Sequence, residues 1–183
     1  MSSSVYSNVC KSAKTWGFPP PEMAGVTPGV WERMCEVVWD RVLHYPYARD
    51  YYPYSSVVEN LTSDLSVQLD SPGLHKCHVW CAIVRAFKKE KNQKKNSHFE
   101  TNRKFKHDSK LDEKAQIVVA RMVDEELSGI RGRDDGAMSP RFRKAFQNVC
   151  SKVGHQYPEA TERDYWFAWL NYKKKSPSVR DGL

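Results

Sequence analysis

Apolar residues recur in this chain at the spacing of an α-helix, and that period limits the possible folds more than any other feature of the sequence. The clearest run has members at i, i+3, i+4, i+7 and i+11, namely Trp31, Met34, Cys35, Val38 and Val42. Thr27 and Pro28 precede it as a cap and a proline at the first helical position, and Pro46 ends it. The pattern predicts an amphipathic helix and, with the runs that follow, an all-α fold.

Further helices are predicted from similar runs in both halves of the chain. One covers residues 117–123, and the starts of the others are marked by a cap or by a cap followed by proline: Ser55 or Ser56, Ser71-Pro72, Ser139-Pro140 and Thr161. Four tryptophans fall on the apolar faces of these helices and are predicted to lie in the core: Trp31, Trp80, Trp166 and Trp169.

The order of these elements repeats once along the chain. Trp80-x-x-Ile83-Val84 leads into lysines in the first half, and Trp166-x-x-Trp169-Leu170 does so in the second. We therefore predict two small three-helix units joined by a basic linker. A single six-helix domain with accidental internal symmetry is the alternative. The predicted segments are a disordered N-terminal tail (1–26), unit one (27–95), the basic linker (96–111), unit two (112–175) and a C-terminal tail (176–183).

Positive charge is concentrated in one segment of the chain. The formal net charge is +7, and residues 85–110 contain ten basic and three acidic residues, so this segment accounts for the whole excess. A block of like charge repels itself and attracts polyanions, so it predicts contact with nucleic acid. A solvated linker and a nuclear import signal are the alternatives.

The candidate nucleic-acid contacts come from the basic segment and from the two third helices. Exposed side chains on a helix could reach base edges in the major groove, whereas linker lysines would contact phosphates. His75, on the first of these helices, is a further candidate for contact with base edges. The set is Lys76, His78, Arg85, Lys88, Lys89, Lys91, Lys94, Lys95, Arg103, Lys104, Lys106, Arg163, Asn171, Lys173 and Lys174.

An aromatic connector separates the first two predicted helices. We expect its tyrosines to form an exposed surface for stacking or for a partner protein. They are Tyr45, Tyr47, Tyr51, Tyr52 and Tyr54.

Unit one resembles the Myb/SANT-like class, and in particular its MADF branch. The likeness covers residues 28–95 and rests on Leu43-His44-Tyr45-Pro46, Tyr51-Tyr52 and Trp80-x-x-Ile83-x-x-x-Phe87-Lys88-Lys89-x-Lys91. Unit two is similar mainly through residues 165–169. The tryptophan usual in the second helix of the class is absent, with Val57 or Val58 and Phe142 or Phe146 in its place. The resemblance implies DNA binding through the third helix in the major groove, or protein contacts of the SANT type.

Several function classes lack sequence support. No Gly-rich phosphate loop, nucleophile elbow or His-Glu-x-x-His motif is present, so we predict neither an enzyme, a cofactor nor a small-molecule substrate. Cys77 and Cys81 lack a second ligand pair at zinc spacing, so we predict no metal and five reduced cysteines. No run is apolar enough for a membrane span.

The predicted function is that of a nuclear DNA-binding or chromatin-associated protein in transcription or genome regulation, with duplex DNA as its partner. The alternative is a non-enzymatic adaptor whose helical units bind protein partners in a nuclear complex.

Overall fold

A computed structural model of the chain describes residues 3–45, 47–94, 107–128 and 136–174. In these ranges every regular element is helical, which confirms the all-α prediction. The seven α-helices are α1 (Ser3–Trp16), α2 (Pro28–His44), α3 (Ser56–Gln68), α4 (Lys76–Lys94), α5 (Glu113–Glu126), α6 (Pro140–Val153) and α7 (Glu162–Lys174). None of them combines the length and the apolar character needed to cross a bilayer.

The chain divides into two compact units. Unit 1 is Met1–Phe105 with Asp134–Pro140, and it contains α1 to α4. Unit 2 is Lys106–Arg133 with Arg141–Leu183, and it contains α5 to α7.

The prediction of a disordered tail over residues 1–26 is wrong for the part that the structure describes. Residues 3–16 form α1, and a short 3-10 helix follows at Pro21–Ala24. Val9, Ala13 and Trp16 are buried at i, i+4 and i+7, so α1 has a narrow apolar face. The face escapes sequence reading because one of its members is alanine and because serines, which favour caps over helix interiors, surround it.

Helix α4 is the centre of unit 1. Residues 77–84 are buried without interruption, including the predicted core residue Trp80. A helix that is apolar around its whole circumference has to be covered on all sides. Helix α2 packs closely along α4, and α3 also contacts it. After this buried stretch Arg85 and Phe87 are half-buried, and Lys88 and Lys89 are exposed.

Two histidines set the start of α4, and the predicted start at Ser71-Pro72 is wrong. The N–H of Cys77 donates to Nδ1 of His75 (3.2 Å), and the N–H of His75 donates to Nδ1 of His78 (3.1 Å). This reciprocal pair satisfies N–H groups that the first turn of a helix leaves without partners. The Ser71 hydroxyl instead donates to the carbonyl of Leu69, and the chain turns before it enters α4.

Residues 136–140 belong to unit 1 although they lie between α5 and α6 in sequence. The thiol of Cys77 donates to the carbonyl of Met138 at 3.2 Å. Gly136 lies directly against the indole of Trp16, where an added Cβ would overlap the ring. Only glycine allows this close approach.

In unit 2, α7 is the central helix, and residues 164–170 are all buried. Helix α5 packs along it. Phe142 of α6 makes edge-to-face contacts with Trp166 and Trp169, with ring centroids 5.6 and 5.1 Å apart. The prediction that Trp31, Trp80, Trp166 and Trp169 lie in the core is confirmed, since each is at most 3% exposed.

Candidate nucleic-acid interface

The exposed part of α4 carries a strip of basic side chains. Arg85, Lys88 and Lys89 stand at i, i+3 and i+4, so they share one face of the helix. Lys88 and Lys89 are exposed, and Arg85 is half-buried. Lys91 and Lys94 lie further along the same helix. Four other candidates are outside the described residues: Lys95, Arg103, Lys104 and Lys106.

A half-buried tryptophan supports this strip from the neighbouring helix. The ammonium of Lys89 lies 4.4 Å from the centroid of the Trp39 ring, within cation–π range. Trp39 falls outside the apolar run of α2, so the apolar period does not identify it. The sequence feature that could have identified it is a tryptophan on the polar face of an amphipathic helix.

Acidic residues border the strip on its α2 side. Glu32, Glu36 and Trp39 of α2 face Arg85 and Lys89 across a shallow groove of about 300 Å³. Cys35 lines the same groove, and burial raises the pKa of its thiol to about 12, against a smaller opposing effect of Arg85. The thiol is therefore protonated at neutral pH and is a poor nucleophile.

The N-terminal half of α4 does not supply the predicted contacts. The expectation that His78 lies on an exposed face is wrong, because the residue is fully buried and its Nε2 lies 2.8 Å from the carbonyl of Pro19. Lys76 is only 18% exposed at its side chain and pairs with Glu59 of α3 at 2.8 Å. Neither residue can reach a base edge without breaking these contacts.

The histidine and cysteine side chains at the start of α4 are used in hydrogen bonds within the fold. Both ring nitrogens of His78 and the thiol of Cys77 are engaged within unit 1. Among the residues that the structure describes, no group of histidine, cysteine and carboxylate side chains is arranged to hold a metal ion.

The basic residues of α7 are held by contacts within unit 2. The ammonium of Lys173 lies 3.1 Å from a carboxylate oxygen of Asp124, which also accepts from the Trp169 indole. The guanidinium of Arg163 lies 5.8 Å from the Phe167 ring centroid. Asn171 and Lys174 are exposed. At the end of α7, one of the two predicted lysines is therefore paired with a carboxylate of its own unit.

The tyrosines of the connector form a cluster. Tyr47 stacks on Tyr51 with ring centroids 4.0 Å apart, and Tyr45 stacks on Tyr47 at 6.0 Å. These three and Tyr54 are half-buried. Tyr52 is fully buried and meets Phe87 of α4 edge to face, so its predicted place on an exposed surface is wrong.

A buried aspartate outside the predicted set organises the start of α7. Asp164 accepts hydrogen bonds from the N–H and hydroxyl of Thr161, the N–H of Lys110 and Nε2 of His107, all between 2.7 and 3.0 Å. Burial alone would raise the pKa of this carboxyl, but the hydrogen bonds outweigh it and lower the pKa to about 2. The sequence feature that could have identified Asp164 is its position three residues after Thr161, which is the spacing of a capping box.

Comparison with known proteins adds no relative to this picture. No family model matches the sequence, and no curated protein or solved structure shows significant similarity to the chain.

Proposed function

We propose that the protein binds duplex DNA, without catalysis, through the basic C-terminal half of α4 and the basic segment that follows it. The observation that carries the proposal is the pair of exposed lysines, Lys88 and Lys89, at the start of the only segment with a large excess of positive charge. Each phosphate that such side chains neutralise releases condensed counterions, which favours binding. A nuclear, chromatin-associated role in transcription or genome regulation follows from this activity.

The binding we propose reads phosphates more than bases. A recognition helix inserts an exposed face into the major groove. Residues 77–84 of α4 are buried and cannot enter a groove, whereas Lys88 and Lys89 are exposed. Contacts from this end of the helix position a protein on the duplex but carry little sequence information.

A Myb/SANT-like origin of the two units belongs to the same proposal. Trp80 is the fifth residue of α4 and Trp166 is the fifth of α7, so the sequence repeat coincides with matching helix positions. Both tryptophans are buried. Helix α2 packs along α4, and α5 packs along α7 in the same way. Helix α1 is an addition to the three-helix plan in unit 1.

A salt titration tests DNA binding directly. A fluorescently labelled random-sequence duplex is mixed with the full chain, and anisotropy is followed at several salt concentrations. We expect affinity to fall by roughly tenfold or more between about 50 and about 200 mM salt. The absence of binding at the lowest salt would rule the proposal out.

A second candidate is a protein adaptor that docks partners on the tyrosine cluster. The stacked, half-buried rings of Tyr45, Tyr47 and Tyr51 favour it, since such rings bury much area at low entropic cost. A pull-down with and without nuclease separates the two functions. An adaptor keeps its partners after nuclease treatment and loses them in Tyr47→Ala, whereas Lys88→Gln/Lys89→Gln leaves them bound.

A further inference from the structure

The groove between α2 and α4 lies beside the exposed lysines and has a lining of mixed chemistry. Its charged and aromatic members are Glu32, Glu36 and Trp39 of α2, and Arg85 and Lys89 of α4. The α2 residues stand at i, i+4 and i+7, so they extend over roughly 10 Å of helix axis. The volume of about 300 Å³ is at the lower limit of the roughly 300–1,000 Å³ that is usual for small-molecule sites. The groove therefore has room for one small group and not for a folded segment.

The Trp39 ring has a face that is covered by the end of a flexible side chain. The ammonium of Lys89 lies 4.4 Å from the ring centroid, and Lys89 itself is exposed. A cation–π contact at an exposed site is weaker than the stacking of a nucleic-acid base on an aromatic ring. A base can therefore take the place of the ammonium, and Lys89 then gains the phosphate of the same nucleotide as its partner.

The two glutamates of the lining are acceptors that the fold does not use. Glu32 and Glu36 are exposed, and within the described part of the chain neither carboxylate forms a hydrogen bond or an ion pair. An ionised carboxylate accepts hydrogen bonds and donates none. Both lie on the same face of α2 as Trp39, so a flat group that stacks on the indole meets acceptors along its edge.

An edge of acceptors selects among the four bases. Guanine has two adjacent donors on its Watson–Crick edge, the ring N1–H and the 2-amino group, whereas the other bases each present one donor group beside at least one acceptor. A carboxylate accepts both guanine N–H groups side by side, but it opposes the acceptors of the other bases. In a duplex this edge is paired with cytosine, so only an unpaired guanine can bind in this way.

We infer that the groove between α2 and α4 binds an unpaired guanine base of DNA, stacked on Trp39 and with its Watson–Crick edge at Glu32 and Glu36. The site rests on the proposed function, because Lys88 and Lys89 hold the backbone of the same DNA. It adds a preference that backbone contacts cannot give, since phosphates carry no sequence information.

Duplexes with a short single-stranded end provide the test. The middle base of the end is guanine, inosine, adenine or cytosine, and a blunt duplex of the same paired sequence is the reference. Inosine keeps the ring N1–H of guanine and lacks only the 2-amino group. Anisotropy of the labelled DNA with the full chain gives each affinity at one fixed salt concentration. We expect the guanine end to bind roughly tenfold to a hundredfold tighter than the inosine end, the range for a hydrogen bond to a charged group. The adenine and cytosine ends should bind no tighter than the inosine end.

A glutamate variant separates a base site from a general effect of charge. Glu32→Gln/Glu36→Gln removes two negative charges, so it should strengthen binding to the blunt duplex. It should also lower the preference for guanine over inosine by roughly threefold to tenfold, because hydrogen bonds to charged groups are about twice as strong as neutral ones. Glu125→Gln/Glu159→Gln removes the same charge at exposed positions of unit 2 and is the matched control, which should keep the full preference.

A tryptophan variant tests the stacking. Trp39→Leu removes the ring and should weaken binding of the guanine end by roughly tenfold or more, whereas the blunt duplex should bind nearly as before. Trp39→Phe keeps a ring and should retain most of the affinity for the guanine end. Thermal melting of both variants checks the fold, and the exposed glutamates provide the test even if Trp39→Leu does not fold.

The result that supports the site is a guanine preference that Glu32→Gln/Glu36→Gln lowers and Glu125→Gln/Glu159→Gln retains. Equal affinity for the guanine and inosine ends, with salt-dependent binding of the blunt duplex intact, would overturn the guanine site and leave the proposed function standing. Binding of none of these DNAs at low salt would overturn both. A preference that survives in the groove glutamate variant and in Trp39→Leu would overturn the placement of the base in this groove.

Free guanosine monophosphate distinguishes the base from its source. It offers the same base and one phosphate but lacks the neighbouring phosphates of a strand, so it should compete only weakly with the guanine end. Competition at the affinity of the DNA itself would overturn the assignment to DNA and identify a free nucleotide as the ligand.

Discussion

The last helices of the two units, α4 and α7, share a burial pattern but differ at both ends. Each is buried around its whole circumference near its start, with a tryptophan at the fifth position. Neutral imidazoles cap α4, whereas an ionised buried carboxylate caps α7. At the other end, Lys88 and Lys89 of α4 are exposed, whereas Lys173 of α7 pairs with Asp124.

The same burial pattern therefore occurs with exposed lysines at the end of α4 and with a paired lysine at the end of α7. The shared buried positions maintain the helix at the centre of its unit, and the ends are where charge is either exposed or compensated. The difference at the starts of the two helices also predicts that the two caps fail in different pH windows, because a histidine cap fails when it gains a proton at mildly acidic pH and a carboxylate cap fails only in stronger acid.

The largest effect is expected at the cap of α7. Asp164→Ala removes the acceptor of four hydrogen bonds in a buried site, and we expect the free energy of unfolding of unit 2 to fall by about 3 kcal/mol. Urea unfolding of the full chain, followed by tryptophan fluorescence, measures it. Asp108→Asn, at an exposed position in the segment that Asp164 anchors, is the control and should change little. Equal stability of Asp164→Ala and the parent would contradict this account of the cap.

The pH dependence of this cap follows from its pKa. The folded-state pKa of Asp164 is about 2 and the ordinary value is 3.8, so its stabilising contribution is complete above the ordinary value. It is lost as the pH falls from about 4 towards 2. The parent should lose stability in this window more steeply than Asp164→Asn, which has no carboxyl to protonate.

The next effect concerns the contact of Gly136 with Trp16. Gly136→Ala forces a methyl group into the buried indole, and we expect a loss of about 1–3 kcal/mol in the stability of unit 1. Gly29→Ala is the matched control, because a Cβ there meets open space at the start of α2. Calorimetric melting of both variants compares them. A melting temperature for Gly136→Ala as high as that of Gly29→Ala would refute the packing described for residues 136–140.

The smallest effect is expected at the histidine cap of α4. Burial lowers the pKa of His78, with the nearby His75 adding to the effect and the bond to Pro19 opposing it. Above about pH 6.5 the His78 imidazole is neutral in both the folded and the unfolded protein. Below that pH the unfolded chain binds a proton at His78 before the folded chain does. The free energy of unfolding therefore falls as the pH falls, until the lowered folded-state pKa is reached.

His78→Gln should therefore cost about 1–2 kcal/mol at pH 7 and flatten the pH dependence of stability just below pH 6.5. Urea unfolding at a series of pH values provides the measurement, with His155→Gln, at an exposed position, as the control. If the pH dependence remained in His78→Gln and disappeared in His155→Gln, the effect would belong to His155 and the prediction would be contradicted.

The sequence predicts what depends on neighbouring residues and misses what depends on distant ones. Thr27 and Thr161 start their helices as expected, because a cap acts on the N–H groups two or three residues ahead. Ser71-Pro72 has the same local appearance, yet α4 starts later, because His78 is fixed by a bond to Pro19. The apolar periods identified the buried tryptophans for the same local reason.

The candidate interface was predictable in part. The excess charge located the basic half of α4, and exposure of Lys88 and Lys89 agrees with a surface role. Burial of His78, pairing of Lys76 with Glu59 and the groove beside Arg85 each depend on residues at least 17 positions away in sequence. No periodicity within a helix contains that information.

The central claim, that DNA contact belongs to the end of α4 and not to the end of α7, is tested most directly by comparing salt slopes. Lys88→Gln/Lys89→Gln and Lys173→Gln/Lys174→Gln remove the same charge from the two helices. The account predicts that the α4 pair weakens duplex binding and makes the plot of log affinity against log salt shallower by about two, and that the α7 pair changes neither by much. Equal losses in the two variants, or a larger loss in the α7 pair, would contradict it.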